Sequence, residues 1–436
     1  MIGLLLAVAI QDPGRLTLAQ TVQRALAQYP TVAAARASRD RAAADLGEAT
    51  AGHRPRLSLD ASLTRFQEPM VVFPLHGFDP ANPPLFDRTL IQSGVTLSWT
   101  LLDFGNRSSR IRAARALGGA ADAALGAAEM QLVARASNAY LRVLTARGVL
   151  AAQDQRLSAL TAESERARRL LAEGKAARVE ILRVDAELAR SRADRIATEA
   201  QLDVAEHDLA QLAQLRYEQV HADSLAPLAL SDPTLALDRA AIVARARDSS
   251  PELLEVRRRS EAAQAGLVAA RATRFPELRL SSGYFDRGRG SGDFKAEWQA
   301  GVGLSYALYT GGSRSSQISR ADADRRGAGE QLRLAELNTE QGVDRALAAV
   351  REVHARVAAL RSAVEQSEEV ARIERLSLEV GSGTQTDYLD AEANLLRARA
   401  SLIEARNAEI SARIELARIA GELSPGWITT KVTHGP

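Results

Sequence analysis

From Phe294 to Leu308 the chain alternates. Phe294, Ala296, Trp298, Ala300, Val302, Leu304, Tyr306 and Leu308 fall on one side of an extended backbone, and Lys295, Glu297, Gln299, Gly301, Gly303 and Ser305 on the other. Ile91, Val95, Leu97, Trp99 and Leu101 alternate in the same way with Gln92, Gly94, Thr96, Ser98 and Thr100. So do Leu57, Leu59, Ala61 and Leu63 with Ser58, Asp60, Ser62 and Thr64. Period-two patterning predicts strands with one apolar face, at about 56–66, 89–102, 277–286 and 294–308. An ordinary strand has ~5–6 residues, whereas a tilted strand that crosses a bilayer needs ~9–11. The lengths favour the bilayer over a soluble hairpin.

After each strand pair the period changes. Val343, Leu347, Val350, Val353, Val357, Leu360 and Val364 recur at steps of three and four, the seam of a coiled-coil-like helix. None of the fourteen prolines falls between 85 and 226 or between 277 and 424. Proline costs a helix interior ~3 kcal/mol, so these windows can hold very long helices. A helix from Gly105 to Ala172 would run roughly 100 Å at 1.5 Å per residue. Gly174 and Gly381 interrupt the pattern, and a shorter helical run follows each. Two antiparallel helical hairpins are expected, over 104–217 with its tip near 173–178, and over 311–423 with its tip near 380–386.

The chain is a duplication. "VTLSWTLLDFGNRSSR" (95–110) and "VGLSYALYTGGSRSSQ" (302–317) agree at eight of sixteen positions. Gly105 and Gly312, Arg107 and Arg314, and Gly174 and Gly381 are all 207 apart. Pro30 and Pro251, and Pro55 and Pro276, are 221 apart, so the first copy carries an insertion of fourteen residues in its loop 67–88. The first repeat spans 16–217 and the second 236–423, with a linker at 218–235 and a tail at 424–436.

Composition adds limits. Aromatics make up 4% and charged residues 25%, with a net charge of +2. Interspersed Arg and Glu read as solvated helix faces, not as a nucleic-acid surface. The absence of cysteine removes disulfides, thiolate metal sites and a lipid-modified N-terminal cysteine. Residues 1–11, "MIGLLLAVAIQ", read as the remnant of an export signal, although the basic n-region is missing. No stretch reaches the ~18 apolar residues of a membrane-spanning helix. Within lipid an open sheet edge leaves backbone groups unpaired, and a barrel needs ~8 strands. Four strands per chain therefore predict assembly, with eight strands from two copies or twelve from three.

On these features the chain resembles the TolC-like outer membrane efflux protein family, over about Leu16 to Leu423. The helical openings "LTLAQTVQRALAQYPTVAAARAS" and "LALDRAAIVARARDSSPELLEVRRRS" carry the resemblance, with the strands "RPRLSLDASL" and "FPELRLSSGY". The passage "LSWTLLDFGNRSSRIRAARA" and the tip "VGSGTQTDYLDAEANLLRARASL" complete it. The resemblance implies a mainly α chain with membrane β: a homotrimer with a 12-stranded β-barrel continuous with a periplasmic α-helical barrel. It implies the exit duct of a tripartite efflux pump or type I secretion system in the outer membrane of a Gram-negative-type bacterium. The expected partners are outer membrane lipid, a periplasmic adaptor and, through it, an inner-membrane transporter. No enzymatic activity, cofactor or nucleic acid is expected.

Asp387 and Asp390 match the family's acidic pair at the periplasmic entrance, three residues apart on one helix face. Rings of such carboxylates favour cations; the plainer role for Asp387 is support of a helix N-terminus. The first copy departs from the pattern, with Glu180 opposite Asp387 and Arg183 opposite Asp390. Arg183 is expected to pair with Asp390 of a neighbouring hairpin and hold the entrance shut. Gly174, Lys175, Gly381, Ser382 and Gly383 are the expected adaptor-docking tips. Gly105, Gly311 and Gly312 are the expected strand-to-helix hinges. Arg107 and Arg314, in the turn beyond, read as solvated charges or as lumen or headgroup contacts. Trp99 and Tyr306 are the expected membrane-interface aromatics. The six histidines lack metal-ligand spacing, and "GRGSG" (288–292) reads as a hairpin turn. The alternative function is a soluble periplasmic coiled-coil adaptor or scaffold, which explains the helices but not the strands.

Overall fold

The computed structural model describes residues 15–72, 81, 86–175, 177–222, 224–231 and 237–434. The expected signal remnant and most of the first loop lie outside the described residues. In chain order the first copy holds β1 (Arg15–Leu16), α1 (Leu18–Gln28), α2 (Pro30–Ala51), β2 (Arg56–Val71), β3 (Phe86–Leu102), α3 (Asn106–Ala172) and α4 (Arg178–Ala213). Next come α5 (Tyr217–Ala222), β4 (Ser224–Leu225) and β5 (Leu228–Leu230). The second copy holds α6 (Arg239–Ser249), α7 (Pro251–Ala272), β6 (Glu277–Arg289), β7 (Phe294–Ser305), α8 (Ser313–Glu379) and α9 (Gln385–Ile419), followed by α10 (Pro425–Lys431) and β8 (Val432–His434). The duplication is visible in the elements. Helices α3 and α8 both have 67 residues, α2 and α7 both have 22, and α1 and α6 both have 11. Pro30 and Pro251 each open a helix, where a missing N–H costs nothing.

The chain forms two compact units that cut across this repeat. Of the described residues, one comprises those up to Arg36, those in Ala123–Leu254 and those from Ala335 on; the other comprises those in Ala37–Asp122 and Glu255–Leu334. Each unit draws on both copies.

The second unit contains one four-stranded antiparallel sheet, ordered β2-β3-β6-β7. The hairpins β2-β3 and β6-β7 are sequence neighbours, and the β3-β6 ladder joins the two copies. Because opposed residues share a face, the register sorts the side chains. Leu59, Val95, Tyr284 and Trp298 stand in one row, and Leu63, Ile91, Gly288 and Phe294 in another. This apolar face is uncovered: Leu59 and Trp298 are each 76% exposed. The opposite face carries Ser58, Thr96, Gly283 and Gln299, with Arg287 and Lys295 further along. Pro69 falls where the β2-β3 register shifts, between Arg65 and Met70, as a residue without an N–H must.

Phe285 places a large apolar ring on the polar face. Phe285 sits over Gly94 of the neighbouring strand and Gly283 of its own, and a Cβ at either glycine would come within 2.4–2.6 Å of the ring. The Arg287 guanidinium lies 5.8 Å from the ring centroid. Phe285 thus locks the register at the junction between the copies.

Several sequence-based limits move. Strand β7 stops at Ser305, opposite Glu277 where β6 begins, so Tyr306 and Leu308 have no neighbouring strand and lie outside the sheet. Strand β2 runs on to Val71, paired with Phe86, and takes part of the expected loop. The expected linker holds α5, β4 and β5, and the expected tail holds α10 and β8. Short strand pairing decides both: β1 pairs with β4 in parallel, and β5 pairs with β8 antiparallel. Such two- and three-residue strands are too short to show an alternation.

In the first unit Tyr140 of α3, fully buried, places its hydroxyl 2.8 Å from the Leu16 carbonyl and 2.9 Å from the Ala226 carbonyl, sharing one proton. It thereby ties the β1-β4 pair to the core of Val22, Leu132, Leu209 and Ile414. The apolar stripe of α8 divides. Val343, Leu347 and Val350 pack with Ile242 of α6 and Leu416 of α9, while Val353 and Val357 pack with Leu402 and Ala405 of α9.

Gly94→Ala is expected to destabilise the sheet by about 1–3 kcal/mol through overpacking against Phe285. The loss should appear as a lower temperature for conversion to the unfolded band on a gel. Adding Phe285→Ala should recover part of it, since the collision disappears with the ring.

Candidate functional site

Within the second unit the chain passes twice from strand into long helix, and the two passages reach one geometry with different residues. In the second copy Gly311 and Gly312 take φ of +59° and +84°. In the first, Gly105 takes +88°, and its predecessor is Phe104 at +52°. A side chain in this left-handed region costs roughly 1–2 kcal/mol. The Phe104 ring stacks on Phe275, with centroids 4.9 Å apart, which offsets that strain. The glycines were legible in the sequence; Phe104 was not, because its conformation is paid for by a residue far along the chain.

Asp103 organises the first passage. Its Oδ1 accepts from the Gly105 amide at 3.3 Å, and its Oδ2 accepts from the Arg107 amide at 2.9 Å and from Arg107 Nε at 2.8 Å. Arg107 Nη1 also donates to the Gly52 carbonyl at 3.1 Å. This carboxylate satisfies orphan donors at the start of α3. Burial pushes the Asp103 carboxyl up, but the Arg107 amide and guanidinium outweigh it and hold the group below the usual carboxylate range. Arg107 is therefore a structural clamp, not a solvated charge. In the second copy Thr310 replaces Asp103. There Arg314 Nη2 donates to the Ala307 carbonyl at 2.9 Å, and its guanidinium lies 5.1 Å from the Tyr306 ring centroid. Trp99, in the strand, donates from Nε1 to the His53 carbonyl at 2.8 Å. Tyr306 lies just past its strand.

The helical tips belong to the first unit. Gly174 and Gly381 are left-handed, at +71° and +78°. The Lys175 amide donates to the Leu170 carbonyl at 2.8 Å, and the Ser382 amide to the Ser377 carbonyl at 2.9 Å. This is the bond pattern of a glycine-terminated helix. Beneath the turns Leu160, Val184, Leu188, Tyr388 and Leu389 form a small buried cluster. Gln385 Nε2 donates to Glu163 Oε1 at 3.1 Å, and Arg166 donates to Glu163 Oε2 at 3.1 Å.

The expected gate residues divide here. The Thr384 hydroxyl accepts from the Asp387 amide at 3.2 Å and donates to Asp387 Oδ2 at 2.6 Å. Asp387 thus supports the start of α9. Asp390 is exposed, three residues on, and Glu180 lies in the first turn of α4. Arg183 donates from Nη1 to the Thr386 hydroxyl at 3.1 Å; within one chain its partner is Thr386, not Asp390. Lys175 pairs with Glu173 at 2.8 Å on the surface. Ser382 and Gly383 complete the second turn, where the amides of both reach the Ser377 carbonyl.

Two ion pairs near the tips were missed. Arg168 meets Asp185 at 3.2 Å, and Arg375 meets Glu392 at 2.9 Å. They are repeat equivalents, 207 residues apart, and opposite charges recurring at that offset were a readable signal. Their surroundings differ: the Asp185 side chain is 37% exposed and that of Glu392 8%. Among the described residues no cluster of histidines and carboxylates could hold a metal ion, and no helix is long and apolar enough to cross a membrane.

Arg375→Ala removes the partner of a buried carboxylate and is expected to cost about 1–3 kcal/mol, whereas Arg168→Ala should cost less than about 1 kcal/mol. Thermal unfolding and hydrogen exchange at the tip amides would measure both. Asp103→Asn tests the passage. Because the folded carboxyl titrates below its unfolded value of ~3.9, its contribution is complete above that pH and is lost as pH falls through the folded value. The stability gap between wild type and Asp103→Asn should be constant from pH 7 to about 5 and should shrink below about 4.

Comparison with known proteins bears on the whole chain. The chain is 32% identical to Protein CyaE of Bordetella pertussis over 281 residues, which cover 60% of this chain and 56% of that one. It is 23% identical to Outer membrane protein TolC of Vibrio cholerae, over 75% of this chain and 74% of the relative. The crystal structure of the outer membrane protein VceC from Vibrio cholerae shares the fold with a TM-score of 0.78 at 20% identity, covering 93% of this chain and 96% of VceC. The family model for the outer membrane efflux protein matches residues 21–213 and 242–422. With both repeats matched, this chain belongs to the outer membrane efflux protein family and is a protein of the outer membrane with a large periplasmic helical portion.

Proposed function

We propose that three copies of this chain close a twelve-stranded barrel in the outer membrane and act as a passive exit duct for an efflux pump or type I secretion system. The observation that carries this reading is the uncovered four-stranded sheet. One face is apolar and exposed, the other polar, and both edges, β2 and β7, are unpaired among the described residues. In hydrocarbon each unpaired backbone group costs several kcal/mol, so the sheet is stable there only if closed. A soluble adaptor is not favoured, because it would leave that apolar face in water. TolC and VceC are named as outer membrane proteins, and catalysis has no part in the reading.

In this assembly Asp390, with Asp387 and Glu180, would ring the periplasmic entrance with carboxylates. Arg183, tied to Thr386 in its own chain, lies at the same level and would draw on Asp390 of an adjoining chain. The tip turns at Gly174, Lys175, Gly381, Ser382 and Gly383 would receive a periplasmic adaptor, which links the duct to an inner-membrane transporter. Exposed Val179, Leu182 and Val380 beside those turns supply apolar contact area. Trp99 and Tyr306 would mark the periplasmic membrane boundary.

Membrane fractionation with unheated gel electrophoresis should recover the protein in the outer membrane as a heat-dissociable trimer; a soluble monomer would overturn the proposal. In planar bilayers Arg183→Ala should raise single-channel conductance at least twofold, and an unchanged closed state would remove Arg183 from the gate.

A further inference from the structure

The interface between copies can be assigned residue by residue, because the duplication extends to strand pairing. A shift of 207 carries β3 onto β7 (Val95 to Val302, Leu97 to Leu304), and a shift of 221 carries β2 onto β6 (Leu57 to Leu278, Leu59 to Leu280). These shifts also predict the register within the hairpins. Arg56 opposite Ser98 becomes Glu277 opposite Ser305, and Leu63 opposite Ile91 becomes Tyr284 opposite Trp298. Both are the pairs observed. The two hairpins therefore share one register as well as one sequence pattern.

The remaining ladder, β3 with β6, joins the second strand of one copy to the first strand of the next. Its repeat equivalent is β7 with β2, and β7 and β2 are the two open edges of the sheet. That pairing cannot form within the chain, since β7 and β2 stand at opposite ends of the sheet. A second copy of this chain is the partner that fits.

We infer that β7 of one copy pairs antiparallel with β2 of a second copy, with Val302 opposite Leu63, Gly303 opposite Ser62 and Leu304 opposite Ala61. These are the images of Val95 opposite Tyr284, Thr96 opposite Gly283 and Leu97 opposite Ser282. The inference rests on the proposed assembly and adds its register. The chemistry of the two edges agrees. Val302, Leu304 and Leu63 are 60%, 69% and 70% exposed in the single chain, and this register brings them together on the apolar face. Gly301 would face Thr64 on the polar face, as Gly94 faces Phe285 inside the chain. Tyr306, image of Trp99, would lie opposite Leu59 as Trp99 lies opposite Leu280, which extends β7 beyond Ser305, the residue opposite the start of β6. A slip of one residue would turn one edge's apolar side chains onto the polar face; a slip of two would keep the faces but break the equivalence. The assignment runs from Leu59 to Arg65, where the β2 register shifts.

The natural chain has no cysteine, so paired cysteines report the register directly. Opposed Cα atoms in antiparallel strands lie ~4.5–5.5 Å apart, within the ~4.4–6.8 Å that a disulfide spans. Consecutive pairs alternate in hydrogen bonding, so two are tested: Val302→Cys with Leu63→Cys, and Gly303→Cys with Ser62→Cys. The slipped combinations are Val302→Cys with Ala61→Cys and Val302→Cys with Arg65→Cys. The full-length chain is oxidised in native outer membranes and run on non-reducing gels, with Val95→Cys and Tyr284→Cys as an internal bridge detected by mass spectrometry. At least one in-register pair should give covalent dimers and trimers at ten times the yield of the slipped pairs. A higher yield from a slipped pair would overturn the register while leaving the assembly standing. The internal bridge without any bridge between copies would overturn both.

Discussion

An unpaired sheet edge is the constraint on which the rest of this structure depends. Strands β2 and β7 carry backbone donors and acceptors along their outer sides, and their residues alternate between an apolar face and a polar one. Water would satisfy the backbone but not the apolar face; hydrocarbon would satisfy the face but not the backbone. In the assembly we propose, closure with further copies would meet both demands. The proline-free windows belong to the long helices, which bury an apolar seam such as Val343, Leu347 and Val350 of α8, whereas the sheet leaves its apolar face exposed.

The passage from strand to helix is solved twice with different chemistry. The second copy relies on consecutive glycines, Gly311 and Gly312, and on the Arg314 guanidinium over Tyr306. The first tolerates Phe104 in a left-handed conformation because Phe275 stacks on it and Asp103 satisfies two amides of the turn. Duplication fixed where the turn occurs. The neighbours in each copy then decided which residues could make it.

The tips show the same divergence in their charges. Equivalent ion pairs, Arg168 with Asp185 and Arg375 with Glu392, sit in environments of different exposure. Thr384 caps α9 through Asp387, whereas Ala177 begins α4 without any side-chain cap. The two helical hairpins of one chain are therefore not interchangeable at their ends.

Much of the fold was legible in the sequence because its signals are periodic and local. The alternation of Leu57 to Leu63 and Phe294 to Leu304, the absence of proline over the long helices, and the glycines at 105, 174, 312 and 381 each act on adjacent backbone. The sequence by itself determined the duplication, the type of each long element and the face that each strand residue takes. Tertiary structure alone decided what depends on distant partners. Strand β7 ends at Ser305 because β6 begins at Glu277; the segment after α4 forms strands because β1 and β8 return to pair with it; and Arg183 finds Thr386 because α4 and α9 meet. Period and propensity act through neighbours in the chain, whereas these contacts join residues up to some two hundred positions apart, and no local pattern records them.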